Sequence, residues 1–306
     1  MFPIFENSEN IRINLDEIND FSGEVHLKRE DELHPHVSGN KFRKLKYNIH
    51  LASIQEKKTL LTFGGAFSNH IAAVAAAGQA ANLNTVGIIR GDELKNDYKN
   101  NPTLQFAEQC GMQFEFVSRE AYRQKDSTTF QQQLLRKYPH CYLLPEGGTN
   151  ELAVKGCKEI ITADDAAFNY ICTPVGTGGT LAGLVAASKN HQTVIGYSAL
   201  KGTFQHTEIS KYTSKSNYTI KDAYCFGGYA KIDSQLVRFM NSFKEQTGVL
   251  LDPVYTAKML FGIVRDIKTG YFPENSRILA IHTGGLQGIS GMNQRLKQKK
   301  LPHIHT

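Results

Sequence analysis

The chain has 306 residues, 41% of them hydrophobic, which is enough to bury a core in one large domain or two ordinary ones. Its net charge of +6 comes from 35 basic and 29 acidic residues, and so mild an excess argues against a nucleic-acid partner. No run reaches the roughly 18 apolar residues of a membrane helix, and the start, MFPIFENSENI, lacks the pattern of a signal peptide. We therefore expect a cytoplasmic protein without nucleic-acid or membrane partners.

The cysteines and histidines do not predict a metal centre. No two of the five cysteines form a CxxC pair, and such scattered thiols are typical of a reducing compartment. One pair of histidines flanks Pro35 in a predicted loop, and the other lies in the C-terminal tail. We predict no metal, while a monovalent cation near a functional site stays open. The cysteines are Cys110, Cys141, Cys157, Cys172 and Cys225, and the paired histidines are His34, His36, His303 and His305.

The first strong helix pattern is VSGNKFRKLKYNI, residues 37–49, which carries four cations within six positions. Entry through residues 38–40 places Phe42, Leu45 and Ile49 on one apolar stripe at helical spacing. The run is therefore a buried helix with a mixed edge and not a single charged face.

Two of these cations have the spacing to turn inward. Lys41 and Lys44 are three residues apart and share one edge of the helix. Arg43, Lys46 and Tyr47 point elsewhere, and we expect the charges of Arg43 and Lys46 to stay in solvent. A buried lysine is costly unless it is paired or deprotonated. A deprotonated lysine is the form that Schiff-base chemistry uses.

Beyond this helix the chain alternates between short apolar runs and helical patterns. Alternation of this kind predicts parallel sheets that are covered by helices on both faces. Residues 218–232 interrupt the alternation and are expected to form a loop-rich segment. Strands are predicted at 58–65, 84–91, 112–118, 141–148, 170–176, 193–200 and 277–285, with helices between them and at 233–248 and 256–270.

Four of the predicted strands end in paired glycines, at 64–65, 147–148, 178–179 and 284–285. Ligands of open α/β sheets bind outside the carboxyl ends of the strands, where glycine lets the backbone approach closely. The most informative turn is CTPVGTGGTLAGL, residues 172–184, where a strand, a glycine turn and a helix start form an anion cradle. We therefore expect a ligand crevice that holds a phosphate.

The kind of phosphate follows from what this turn lacks. A dinucleotide fingerprint needs a third glycine where Leu181 stands, and an acidic residue about 20 positions further on, which is missing. A nucleotide-binding P-loop needs a lysine, and this turn has none. The cradle therefore fits a single phosphate on a small cofactor, and a nearby lysine makes pyridoxal 5'-phosphate (PLP) the best candidate.

A competing interpretation is a serine acyl hydrolase. Ser38 and Lys41 match an SxxK motif, and residues 268–270 match the KTG of penicillin-binding enzymes. However, Gly39 and Asn40 are poor helix formers between the serine and the lysine, and the KTG triplet ends a predicted helix instead of lying on a strand. A PLP-binding protein that has lost turnover is the non-enzymatic alternative.

The chain resembles the fold-type II PLP enzymes, specifically the 1-aminocyclopropane-1-carboxylate (ACC) deaminase and D-cysteine desulfhydrase family. The resemblance implies an α/β fold of the tryptophan synthase β type, with two open, twisted, mostly parallel sheets flanked by helices. A large PLP-binding domain would comprise residues 1–46 and 149–306, with a small inserted domain at 47–148, in a homodimer. The matching pieces lie at 25–47, 63–78, 145–157, 174–184, 248–263 and 281–285.

The resemblance also implies roles for individual residues. Lys41 would hold PLP covalently, and Lys44 would help to neutralise the phosphate. Asn69 would bind the phenolic oxygen of PLP, while Ser68 and the adjoining amides, with Asn69 and His70, would bind the substrate carboxylate. The phosphate cradle would comprise Gly176, Thr177, Gly178, Gly179 and Thr180, and the substrate would face Tyr229 and Tyr255.

Two departures from the deaminase pattern bear on the reaction. Thr256, in DPVYTAK, stands where ACC deaminases have a glutamate that meets the pyridine nitrogen, and Thr283 is the other hydroxyl able to occupy that place. A hydroxyl makes the ring a weaker electron sink than a carboxylate does, which favours β-elimination from D-cysteine over the opening of a cyclopropane. His70 replaces a glutamine, and either binds the carboxylate differently or stabilises a helix start. ACC deaminase activity is the alternative.

Overall fold

Two separate sheets organise the computed structural model, which describes residues 8–306. The strand order in the six-stranded sheet is β1-β2-β10-β7-β8-β9, and that in the four-stranded sheet is β5-β4-β3-β6. All pairings are parallel except that of β1 with β2. The strands are β1 (Asn10–Ile13), β2 (Glu24–Lys28), β3 (Thr59–Gly64), β4 (Asn84–Arg90), β5 (Met112–Val117), β6 (Cys141–Leu143), β7 (Tyr170–Val175), β8 (Thr193–Ser198), β9 (Tyr218–Lys221) and β10 (Arg277–Ile281).

Helices cover both sheets, as the alternation predicts. The expected first helix is α1, and the segment between the strands predicted at 112–118 and 141–148 forms two helices, α4 and α5. Among residues 8–306, no helix is both long and apolar enough to cross a membrane. The helices are α1 (Asn40–Ile54), α2 (Asn69–Ala80), α3 (Pro102–Gln109), α4 (Arg119–Arg123), α5 (Thr128–Lys137), α6 (Glu151–Lys158), α7 (Gly179–Ala187), α8 (Gln205–Ile209), α9 (Ser234–Thr247), α10 (Thr256–Lys268) and α11 (Gly288–Gln298).

The expectation of a loop-rich segment at 218–232 is wrong in its first part. Residues Tyr218–Lys221 form β9, which pairs in parallel with β8 and completes the edge of the large sheet. Four residues are too few for a periodicity to be visible, so tertiary pairing decides their conformation. The strands β1 and β2 had no predicted counterpart for a similar reason. The absence of a signal peptide is predicted from the segment MFPIFENSENI, of which residues 1–7 lie outside the described residues.

The two sheets agree with the predicted division of the chain only in outline. The strands of the four-stranded sheet run from Thr59 to Leu143, inside the predicted small domain. The predicted boundary between residues 46 and 47 falls inside α1, so the chain crosses it within one continuous helix. The division at those residue numbers therefore stays a prediction.

Two helices begin directly after strands and bring their N-termini to the carboxyl edges of the sheets. The helix α2 follows β3 and is buried from His70 to Gly78, and α7 follows β7 and is buried from Gly179 to Val185. Their alanine- and glycine-rich sequences allow close packing on the sheets. Such packing fixes the positions of both helix N-termini.

The helix α1 packs against α6, and the two helices come close together at Gly156. A methyl group at Gly156 would collide with the backbone carbonyl of Arg43. We expect Gly156→Ala to lower the free energy of unfolding by about 1–3 kcal/mol, because the helices must separate. Urea unfolding measures this, with Lys158→Ala on the exposed face of α6 as the control. A more stable Gly156→Ala protein, as helix propensity alone favours by about 1 kcal/mol, would contradict the packing.

Candidate active site

A cavity lies where the carboxyl edges of the two sheets face one another. Its walls come from the start of α1, the start of α2, the turn between β7 and α7, and the loops that precede α10 and α11. Three of the four paired-glycine turns contribute a glycine to the lining, namely Gly147, Gly178 and Gly285. The lining residues include Ser38, Asn40, Lys41, Lys44, Asn69, Gly147, Gly176, Thr177, Gly178, Thr180, Tyr255, Thr283, Gly285 and Gln287.

The two lysines of α1 both reach this cavity. Burial, and then the neighbouring charge of Lys44, lower the pKa of Lys41 to about 7. Lys44 is buried, and its Nζ donates to the carbonyl of Gly147 and to Thr149 Oγ1, each at 3.0 Å. Burial also lowers the pKa of Lys44. A substantial fraction of Lys41 is therefore a neutral amine near pH 7, ready to act as a nucleophile or base.

The turn after β7 presents donors to the same cavity. Gly178 has a φ of 93°, a left-handed conformation that favours glycine, and α7 begins at the next residue. The first N–H groups of a helix have no partner within the helix and, with its dipole, attract an anion. The hydroxyls of Thr177 and Thr149 lie 2.7 Å apart, and Asn40 Nδ2 donates to Thr180 Oγ1 at 2.8 Å. This set of donors fits a phosphate group, and Lys44, which bonds to Thr149, adds a positive charge beside it.

The expectation that Arg43 stays in solvent is wrong. Its side chain is buried, and its Nε and Nη2 donate to the two carboxylate oxygens of Glu30 at 2.8 Å each. A bidentate pair compensates the cost of burying both charges. Glu30 also accepts the N–H of Gly39 through its backbone carbonyl, at 2.9 Å. The pair therefore fixes the entry of α1, from which Lys41 projects, while Lys46 bonds to Glu159 at 2.7 Å.

The start of α2 separates three residues that were predicted to act together. Ser68 caps the helix, since its Oγ accepts the N–H of Ile71 at 3.3 Å, and it is not among the residues that line the cavity. Asn69 lines the cavity, and its Oδ1 accepts from Gln287 Nε2 at 2.6 Å. His70 is buried and pairs through Nε2 with Thr62 Oγ1 at 2.8 Å.

His70 is electrically neutral in this position. Burial, reinforced by the charges of Lys41 and Lys44, lowers its pKa well below the ordinary value. Its ring stands behind Gly148 and does not line the cavity. The geometry therefore favours the structural interpretation, in which His70 stabilises the start of a helix.

The two tyrosines predicted to face the substrate lie next to one another. Tyr255 lines the cavity, and its ring centroid is 6.2 Å from that of Tyr229, at an angle of 63°. Burial raises the pKa of Tyr255 well above its ordinary value, so the phenol keeps its proton. Tyr229 is 42% exposed, which places it at the mouth.

The segment that carries Tyr229 is held by a lysine that sequence reasoning missed. Lys258 is buried in α10, and its Nζ donates to the carbonyls of Cys225 and Gly228 at 2.8 Å each. Burial lowers its pKa to about 8. The sequence shows Lys258 within an otherwise apolar helix, which indicates burial but does not identify the carbonyl groups of a distant loop as its partners.

The two threonines that competed for one role occupy different environments. Thr256 Oγ1 accepts the N–H of Asp252 at 2.7 Å, is fully buried and does not line the cavity. Thr283 lines the cavity directly after β10. Thr283 is therefore the hydroxyl available to a ligand.

The geometry does not support a serine hydrolase. The helix α1 begins at Asn40, so Ser38 precedes it and does not lie one helical turn from Lys41. Gly39 between them has a φ of 61° and a ψ of −140°, which is not helical. Lys268 is the last residue of α10, so the KTG triplet ends a helix and is not on a strand.

Comparisons with known proteins agree with the chemistry of the cavity. The model of the family described as "Pyridoxal-phosphate dependent enzyme" matches residues 12–284. A bifunctional D-cysteine desulfhydrase/ACC deaminase of Arabidopsis thaliana, named as mitochondrial, is 30% identical in an alignment 299 residues long, which covers 87% of this chain and 73% of that protein. A D-cysteine desulfhydrase of Serratia proteamaculans is 26% identical, over 90% of this chain and 91% of that protein.

A solved structure supports the same fold. The crystal structure of an ACC deaminase homologue has a TM-score of 0.82 with this chain, at 23% identity, and covers 97% of this chain and 94% of that one. The chain belongs to the family of pyridoxal-phosphate dependent enzymes, and its relatives make it a deaminase or lyase of that family. Its cofactor is PLP.

The lowered pKa of Lys41 predicts selective chemistry on the cofactor-free protein. Only a neutral amine is acylated, so trace labelling of Lys41 by acetic anhydride should rise about tenfold per pH unit below pH 7 and level off above it. Lys44→Met should move the midpoint to higher pH, because it removes a neighbouring positive charge. Peptide mass spectrometry measures each lysine separately. A Lys41 midpoint at the ordinary lysine value, near 10.4, would contradict this environment.

Proposed function

We propose that the enzyme eliminates the β-substituent of a small amino acid, with D-cysteine as the preferred substrate, to give a 2-oxo acid, ammonia and sulfide. The observation that carries the proposal is the hydroxyl of Thr283, together with the lack of any carboxylate among the residues that line the described cavity. The names of the Arabidopsis and Serratia relatives support D-cysteine.

The proposal assigns a task to each group of the cavity. Lys41 binds the cofactor through its amine and accepts the proton from the substrate Cα. Lys44 and the N–H groups at the start of α7 balance the charge of the phosphate. Asn69 donates to the phenolic oxygen of the cofactor, and the N–H groups around the start of α2 bind the substrate carboxylate. When bound, PLP supplies a ring that spreads negative charge away from the substrate Cα.

The group that would meet the pyridine nitrogen decides between the two candidate reactions. The hydroxyl of Thr283 would hydrogen-bond that nitrogen without holding a proton on it, so the ring would withdraw fewer electrons than one that faces a carboxylate. Removing an α-proton and expelling a thiolate is feasible with such a ring. Opening a cyclopropane that has no α-hydrogen demands stronger withdrawal. ACC deaminase activity is the alternative, and the double name of the Arabidopsis relative supports it.

A product panel separates these reactions. We expect sulfide, pyruvate and ammonia from D-cysteine, and less of each from L-cysteine. D-serine, which has no sulfur, should give less pyruvate and ammonia than D-cysteine, and ACC should give no 2-oxobutanoate. The panel uses the purified holoenzyme with a colorimetric sulfide assay and chromatography of the oxo acids. Release of 2-oxobutanoate from ACC without sulfide from D-cysteine would reverse the assignment.

Lys41→Ala should abolish turnover and the absorbance of the bound cofactor above about 400 nm, because Lys44, the other lysine that lines the described cavity, is already bonded to Gly147 and Thr149. Lys46→Ala is the matched control, since Lys46 lies on the same helix and pairs with Glu159 away from the cavity. Retention of both the absorbance and the turnover by Lys41→Ala would refute the role of Lys41.

The proposal extends to assembly, on the family resemblance alone. We propose a homodimer, which light scattering during gel filtration tests directly. A cytoplasmic location stays a prediction from the sequence.

A further inference from the structure

A buried carboxylate that none of the assigned roles uses lies beside the cavity. Asp252 is fully buried in the loop before α10. Its Oδ1 accepts the N–H groups of Val254 at 3.1 Å and of Tyr255 at 2.5 Å. Its Oδ2 is buried and has no hydrogen-bond partner among the described residues. An unpaired buried acceptor costs free energy, so its retention calls for a partner.

The side chain placed to be that partner is Asn69. A side-chain carbon on Gly285 would collide with Asn69 Nδ2 and lie 3.0 Å from Asp252 Oδ2, so both atoms border the same small space. Asn69 Oδ1 already accepts from Gln287, which leaves the two N–H donors of Nδ2 free. Burial raises the pKa of Asp252 to about 7, and the backbone N–H groups of residues 254–256 and, to a smaller extent, the Asn69 amide oppose this rise.

We propose that Asp252 is a positioning residue that holds Asn69 and Tyr255 in register across the cavity. Its Oδ1 fixes the backbone of Tyr255, and its Oδ2 receives one N–H of Asn69, so that the second N–H points into the cavity. Gln287 binds the opposite end of the same amide, and the two contacts together exclude the flipped orientation. Since Asn69 is the first residue of α2 and Tyr255 is the N-cap of α10, one carboxylate connects the starts of two helices that pack on different sheets.

One part of this proposal depends on the proposed function, namely the hydrogen bond from the second N–H of Asn69 to the phenolic oxygen of the cofactor. The contact between Asp252 and Asn69 belongs to the protein alone. It can therefore be measured both with and without PLP.

A double-mutant cycle of Asp252→Asn and Asn69→Ala tests the proposal. Asparagine at 252 keeps an acceptor for Tyr255 but presents either a neutral acceptor or a donor to Asn69. We expect Asp252→Asn to weaken PLP binding about tenfold, which is the size of a hydrogen bond to a charged group, and to shift the absorbance maximum of the bound cofactor. In the Asn69→Ala background the same change should weaken PLP binding less than about twofold, because the partner is absent.

Urea unfolding of the cofactor-free proteins gives the free energy of unfolding for the same set of variants. We expect the effects of Asp252→Asn and Asn69→Ala on this free energy to be non-additive as well. Asp233→Asn, which alters the cap of α9 through Leu236, is the control and should leave PLP affinity unchanged. If Asp252→Asn does not fold, Asp252→Ser replaces it, since a serine still bonds the N–H groups before α10 but is too short to reach Asn69.

Strictly additive effects on both PLP affinity and unfolding would overturn the proposal. Coupling in both measurements would support it. Coupling in unfolding alone would support the contact between Asp252 and Asn69 and refute the placement of Asn69 on the cofactor, which belongs to the proposed function.

Discussion

The active site depends on two lysines of α1 in different states: Lys41 as a neutral amine, and Lys44, three residues away, as a cation. Lys41 and Lys44 stand on one edge of α1, and the charge of Lys44 disfavours the charged form of Lys41. Lys44 bonds to Gly147 and Thr149 and stays beside the turn that attracts phosphate. Burial and the charge of Lys44 lower the pKa of the Lys41 amine to about 7, against the smaller opposing effects of Cys157 and Asp252. The same helix edge thus provides an anion-binding cation and a nucleophile.

Such an arrangement is costly, and the surroundings of α1 offset the cost. The Arg43–Glu30 pair fixes the entry of the helix, and the close contact at Gly156 fixes its distance from α6. Lys46 and Tyr47 both bond to Glu159 at the end of α6. These contacts lie on the faces of α1 that point away from the cavity. They leave the lysine edge free for the ligand while they prevent the helix from moving to solvate it.

The glycine turns and the anion cradle of the site could be predicted from the sequence because they depend on local patterns of residues. The paired glycines after strands mark the carboxyl edge of each sheet, and the turn at 176–180 has the composition of an anion cradle. Partners across the fold were not readable. Nothing in the sequence near Arg43 shows that Glu30 will bury it, and nothing near Lys258 shows that it will hold the loop at 225–228. Likewise, Thr256 and Thr283 are equivalent candidates until the fold turns one of them toward the backbone of Asp252.

The central claim is that Lys41, and not another lysine, carries the cofactor. The most direct measurement is borohydride reduction of the holoenzyme followed by peptide mass mapping of the pyridoxyl group. The account predicts a single modified site at Lys41. Modification at Lys44, or at Lys258, whose pKa burial also lowers, would contradict it.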